Sequence, residues 1–167
     1  VPRPIDPALE DALTGLSNER HFEILYEFAF RVAERGIPLC LATFEIDAFD
    51  RFTRERGPVE AEKVVEEFGA VLRNGTRRMD VTARLVGSRC ASLLLDCNLQ
   101  GGMVFADRIL GLAEGVTEAW GLVVNAGLAA YEPEMEGRPR ALRDGAEAAL
   151  REAATQGGGT VAVHRGG

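Results

Sequence analysis

Val81-Thr82-Ala83-Arg84-Leu85-Val86-Gly87-Ser88-Arg89-Cys90-Ala91-Ser92-Leu93-Leu94-Leu95 is the stretch whose reading decides the fold. Two apolar, strand-like runs, Val81 to Leu85 and Cys90 to Leu95, flank a short link that contains a glycine. That spacing predicts an antiparallel hairpin. Working outward, Ala61, Val64, Val65, Phe68, Val71 and Leu72 recur at helical spacing upstream of the hairpin, and Gly57-Pro58 breaks the chain before them. Leu39 to Ile46 is a short apolar run ending in acids, suited to a buried central strand. Phe22, Leu25, Phe28, Ala29 and Val32 mark a helix within residues 18–35, stopped by Gly36-Ile37-Pro38.

Downstream, Gly102, Phe105, Ala106, Ile109, Leu112 and Ala113 predict a further helix, and Trp120 to Tyr131 reads as a strand. Leu142 to Ala154 is helical through Leu142, Ala146, Ala149, Leu150 and Ala153, and Thr160 to His164 closes as a short strand. The order α-β-α-β-β-α-β-α-β predicts an α/β (α+β) fold: a mixed central sheet of about five strands covered by helices.

The chain has 167 residues, 46% of them hydrophobic, enough for one well-filled core. No apolar run approaches the roughly 20 residues a bilayer requires, and no secretory signal pattern opens the chain. A soluble, cytoplasmic domain without membrane contact of its own is expected. The proline-rich opening, Val-Pro-Arg-Pro-Ile-Asp-Pro, reads as a linker over residues 1–8, with the domain at 9–167 inside a longer signalling protein. Cys40, Cys90 and Cys97 have no metal-ligand spacing and read as free thiols, and no metal site is expected. A net charge of −7 argues against nucleic acid as a partner. It leaves room for one small anion at a local cluster, and Arg73, Arg77, Arg78, Arg84 and Arg89 form such a concentration. The alternative is a set of solvated arginines at a helix end.

Asp11-Ala12-Leu13-Thr14-Gly15-Leu16-Ser17-Asn18, followed by Arg20 and Phe22, resembles the entry signature of GGDEF domains, the palm-like fold of diguanylate cyclases. An ordinary helix cap at Ser17 or Asn18 explains the cap but not the whole string. Glu45-Ile46-Asp47-Ala48-Phe49-Asp50, with Thr53, Gly57, Ala61, Glu62 and Val65, is similar to the family's D-I-D-x-F-K-x-x-N-D-x-x-G-H-x-x-G-D-x-x-L without a gap. Arg84 to Leu94 lines up with R-Y-G-G-D-E-F-A-x-L-L, so Val86-Gly87-Ser88-Arg89-Cys90 stands in place of the signature. Asn125-Ala126-Gly127 matches S-I-G, and Ala146 to Leu150 with Gly157 resembles A-D-x-A-L-Y-x-A-K-x-x-G. The resemblance runs from about Leu9 to Val163.

Diguanylate cyclases join two GTP molecules, and the resemblance implies a carboxylate on the first strand and another in the hairpin as Mg²⁺ ligands. Here those positions hold Glu45 and Ser88, and a neutral hydroxyl is a weak ligand for a hard cation. Arg89 places positive charge beside the metal position, a repulsion of about 4 kcal/mol at 4 Å in a near-surface dielectric. Val86, β-branched where the family has glycine, is expected to reshape the turn. Of the residual GTP-site positions, Thr53 and Glu62 replace the guanine-reading asparagine and aspartate, and Asp50 inverts a lysine's charge. Ala154 replaces a phosphate-binding lysine, and Gly158-Gly159-Thr160 departs from R-N-R. Loss of catalysis is expected, with no cofactor beyond the Mg²⁺ that residual GTP binding would bring.

Arg77-Arg78-Met79-Asp80 keeps the R-x-x-D of the family's inhibitory site, where the product cyclic di-GMP binds, and Arg108 falls where relatives supply a second arginine. The resemblance thus implies a cyclic di-GMP receptor working through Arg77, Asp80 and Arg108, with a homodimer or a flanking domain completing the site. Three other readings compete: a dimerisation or interaction module that binds no nucleotide, a GTP-binding regulator without turnover, and, last, an active cyclase. In the plainer alternative, Asp80 caps the strand entry and Arg108 pairs with an acid of its own helix. His21 and His164 read as surface residues, and Trp120 and Tyr131 as sheet packing.

Overall fold

The computed structural model describes residues 3–166. Val1 and Pro2 of the expected linker, and Gly167 at the end of the expected domain, lie outside them. The elements run in the order α1 Glu19–Ala33, β1 Leu39–Ile46, α2 Phe49–Arg56, α3 Pro58–Gly75, β2 Val81–Arg84, β3 Cys90–Leu95, α4 Leu99–Thr117, β4 Val124–Ala130, α5 Pro139–Thr155 and β5 Val161–Val163. The sheet order is β2-β3-β1-β4-β5. All neighbours are antiparallel except β4 and β5, which makes the mixed five-stranded sheet that the pattern predicted. No helix among the described residues is long and apolar enough to cross a membrane.

β1 is central because it is apolar on both faces. Cys40, Ala42, Phe44 and Ile46 face the core shared with α3 and α4, where Phe68, Leu72, Phe105 and Ile109 pack. Leu39 and Leu41 face the core shared with α1 and α5, where Phe22, Tyr26, Phe30, Leu142 and Ala146 pack. Thr43 is the buried polar residue of β1, while Glu45 is only partly buried near the end of the strand. The buried Thr43 hydroxyl lies 3.2 Å from both Gly127 O and Ala146 O, tying β1 to β4 and α5. A Cβ at Gly127 would fall on the backbone of Ala146 and Leu150, so the absence of a side chain lets α5 lie directly on β4.

The entry segment forms a built turn. Asp11 accepts from the backbone N–H (2.9 Å) and hydroxyl (2.8 Å) of Thr14, and Gly15 takes φ +71°. Asn18, rather than Ser17, caps α1 by accepting from His21 N at 2.9 Å.

Several expectations are corrected. The core stripe of α1 is Phe22, Tyr26, Ala29, Phe30 and Ala33, while Phe28 is 68% exposed. On α4, Leu110 is buried and Leu112 exposed. Residues 49–56 form a helix of their own, missed because Phe52 is its only buried side chain. The fourth strand begins at Val124, since Trp120 ends a 3₁₀ turn closed by Gly121 at φ +68°. Trp120 still packs against the core, and its indole donates to Glu67 at 3.0 Å. Cys40 and Cys90 are buried free thiols, and Cys97 is half-buried. His21 is half-buried, with Nδ1 3.0 Å from the Ser17 hydroxyl.

Candidate functional site

Antiparallel pairing of β1 with β3 sets Phe44 opposite Cys90, and that register brings the hairpin link against the end of β1. The link turns through Gly87 at φ +61°, with Arg89 N–H bonded to Val86 O at 2.9 Å. Positive φ falls on glycine, not on Val86, so the valine is accommodated without strain and is 72% exposed.

Ser88 points inward, 3% exposed, and its Oγ accepts from Ile46 N at 3.1 Å. The hydroxyl serves as a strap between hairpin and β1. Arg89 reaches across to Glu45, with Nη2 and Nε at 2.8 and 3.2 Å from the same Oε2. Its Nη1 lies 4.0 Å from Glu147 on α5. A guanidinium thus takes the carboxylate on which a divalent cation would depend, and it cannot deprotonate to make way. These residues do not fit Mg²⁺. No cluster of three or more His, Cys, Asp or Glu side chains suited to a metal occurs among the described residues.

Beside this pair lies a cleft of about 250 Å³ lined by Asp47, Asp50, Arg151, Asn125 and Ala154, among others. Arg151, one helical turn before Ala154, is a basic group that motif matching passes over; spacing from Ala154 along α5 is the signal that finds it. Asp47 is held by Asn125, whose Nδ2 donates at 3.0 Å while its Oδ1 accepts from Gly159 N at 2.9 Å. Thr53 turns its hydroxyl back onto Phe49 O at 2.9 Å, a bond within its own helix. Glu62 is exposed on α3. The cleft carries three acids, Glu45, Asp47 and Asp50, and two arginines, Arg89 and Arg151.

The second candidate site is the connection between α3 and β2. Asp80 is fully buried at its side chain. Its Oδ2 accepts from Arg77 Nε at 2.7 Å, and its Oδ1 accepts from Arg77 Nη2 at 3.1 Å and from Leu95 N at 3.0 Å. Arg77 Nη2 also donates to Leu95 O at 3.0 Å, so the R-x-x-D closes into a clamp gripping the end of β3. The arginine remains about half exposed, at 49%. The Asp80 carboxylate raises the affinity of Arg77 for its proton. Arg108 approaches the same connection from α4, donating to Gly75 O at 2.6 Å and stacking 5.6 Å from the Phe105 ring centre.

Of the arginines in the basic stretch, Arg73 bonds Thr14 O at 2.5 Å and Arg84 bonds Asp11 at 3.3 Å and Gly87 O at 3.1 Å. With Arg77 and Arg89, four of the five are tied into the fold rather than solvated.

The family described as "Diguanylate cyclase, GGDEF domain" matches residues 8–160. An uncharacterised Bacillus subtilis protein, YhcK, is 32% identical over 101 residues, which cover 59% of this chain and 28% of YhcK. The probable diguanylate cyclase DgcE of Escherichia coli is 29% identical over 117 residues, covering 68% of this chain and 10% of DgcE. The chain thus spans only a minor part of either relative. Among solved structures, the GGDEF domain of DgcB from Caulobacter crescentus, determined in complex with c-di-GMP, superposes with a TM-score of 0.85 at 20% identity, covering 99% of this chain and 98% of that one.

Proposed function

Because this chain belongs to the GGDEF domain family of diguanylate cyclases, we propose that it is a signalling domain that has lost the cyclase reaction and acts as a receptor for cyclic di-GMP. The observation that carries the first half is the bond from Arg89 to Glu45, backed by Ser88 spent on Ile46 N. A built-in cation takes the place of the catalytic one. Asp50 and Ala154 remove phosphate charge from this cleft, and Thr53 and Glu62, outside its lining, replace the base-reading residues, so no single reversion restores a substrate site.

The receptor half rests on the corner of Arg77 and Arg108, two partly exposed guanidinium groups suited to guanine O6/N7 or phosphate oxygens. Asp80, committed to Arg77 and Leu95 N, acts as the residue that aims Arg77. The c-di-GMP held by DgcB supports the ligand class. A stacked ligand pair would draw on a second protomer or a flanking domain of a larger cytoplasmic protein.

Calorimetry with cyclic di-GMP on the domain and on Arg77→Ala tests the reading. Heat from the first and none from the second is expected; no heat from the unmodified domain overturns the receptor role, and equal heats move the site elsewhere. Incubation with GTP and Mg²⁺ or Mn²⁺ is expected to yield no cyclic product, and clear turnover would overturn the loss of catalysis. The closed Arg77–Asp80 clamp favours one second reading, an interaction domain in which this corner is purely structural. A domain silent toward both GTP and cyclic di-GMP would establish that reading, whereas a thermal shift with GTP alone would mark a GTP-binding regulator.

A further inference from the structure

Two glycines open the first turn of α4, Gly101 and Gly102, each costing about 1 kcal/mol against alanine inside a helix. Both abut sulfur, and Gly102 abuts Leu128 as closely. A Cβ at Gly101 would stand 3.0 Å from Cys97 Sγ, and a Cβ at Gly102 would stand 3.0 Å from Cys40 Sγ. Cys40 sits near the start of β1, and Cys97 follows β3 on the adjoining strand, its N–H bonded to Pro38 O at 3.2 Å. Both sulfurs thus rest against consecutive residues of one helical turn.

Access is one-sided. Cys40 is fully buried, whereas Cys97 lines a groove of about 460 Å³ with Pro38, Leu99, Tyr131 and Pro133. The third thiol, Cys90, is buried elsewhere on β3. We propose that Cys40 and Cys97 are a disulfide-forming pair, closed by a peroxide-class oxidant that reaches Cys97 through this groove.

Cys97 is the attacking thiol. Burial raises both, pushing Cys40 up to about 12; at Cys97 the neighbouring Arg77 acts in the opposite direction, against Asp80 and Asp96. The Cys97 thiolate attacks a peroxide oxygen, the O–O bond breaks, hydroxide leaves, and a sulfenic acid forms. Cys40 then attacks the Cys97 sulfur; the S–S bond forms as the S–O bond breaks, and the departing hydroxide takes the Cys40 proton. Both thiols are oxidised by one electron each and the peroxide is reduced to water. Because a thiolate starts the reaction, its rate rises with pH.

The test is hydrogen peroxide treatment of the purified protein, followed by thiol titration under denaturing conditions, intact mass and a non-reducing digest. The expected result is a fall from three free thiols to one, a monomer lighter by two hydrogens, a Cys40–Cys97 linked peptide, and reversal by dithiothreitol. Cys97→Ser is expected to keep both remaining thiols, and Cys90→Ala to lose both of its own. Survival of all three thiols, a cross-link through Cys90, a covalent dimer, or oxygen added to Cys97 without the cross-link would each overturn the proposal.

Discussion

The proposed loss of catalysis rests on a single ion pair, Arg89 with Glu45. Their ion pair is more than a third exposed on the Glu45 side, so it contributes little to stability, about 1 kcal/mol or less. Its importance is occupancy. Replacing it with acids, Ser88→Asp together with Arg89→Glu, is expected to create a divalent-cation site with Glu45. Mn²⁺ at a hundredfold excess over its Kd should then stabilise the double variant by about 2–3 kcal/mol in thermal denaturation, with no shift for the unmodified domain. Cyclic product should still be absent, because Asp50 and Ala154 leave the phosphates without their positive partners. Asp80 makes the opposite case, a fully buried carboxylate whose bonds hold two backbone ends together. Asp80→Ala is expected to cost about 1–3 kcal/mol in urea denaturation, since Leu95 N loses its acceptor and Arg77 its aim.

Glycines on the elements divide into those the packing requires and those it does not. Gly127→Ala drives a methyl into the α5 backbone and is expected to cost about 3 kcal/mol or more, leaving little folded protein in expression trials. Gly111 on α4 faces open space, so Gly111→Ala should stabilise by about 1 kcal/mol, read as a higher urea midpoint. The same elements show what the sequence can tell. α5 was legible because Leu142, Ala146, Ala149, Leu150 and Ala153 form a single stripe, and all five are buried. α1 carries apolar residues most of the way round, including exposed Ile24 and Phe28, so spacing alone could not choose the inward face. At the catalytic-type cleft, Ser88 and Arg89 were legible through their place in a motif. Glu45 was legible in the same way, but its pairing with Arg89 and the bond of Ser88 to Ile46 N were not, because they depend on strand register between segments 44 and 42 residues apart. Arg77 and Asp80, three residues apart, were visible as a pair, but the grip on Leu95 was not.

The whole molecule has an alkaline weakness built into its core. Burial raises Cys40 and Cys90 from 9.0 to about 12, and raises Tyr26, whose hydroxyl donates to Pro139 O at 2.5 Å, above its ordinary value of 10.0. The folded state therefore holds these protons more tightly than the unfolded chain. Their contribution is complete below about pH 9 and is lost as pH rises toward 12 and beyond. Thermal midpoints followed from pH 8 upward by circular dichroism are thus expected to fall progressively above about pH 9, with tyrosinate absorbance rising together with unfolding. A midpoint unchanged to pH 11 would contradict this assignment.

The placing of β1 between β3 and β4 also sets an order of events while the chain is being made. The Thr43–Gly127 bond joins residues 84 apart, so the middle of the sheet leaves the ribosome well before its second neighbour exists. At roughly 5–20 residues per second, that strand waits on the order of 4–17 seconds with one apolar edge open. A nascent chain stalled between β3 and β4 should therefore be chaperone-bound and protease-sensitive, and one stalled after β5 has emerged should be neither.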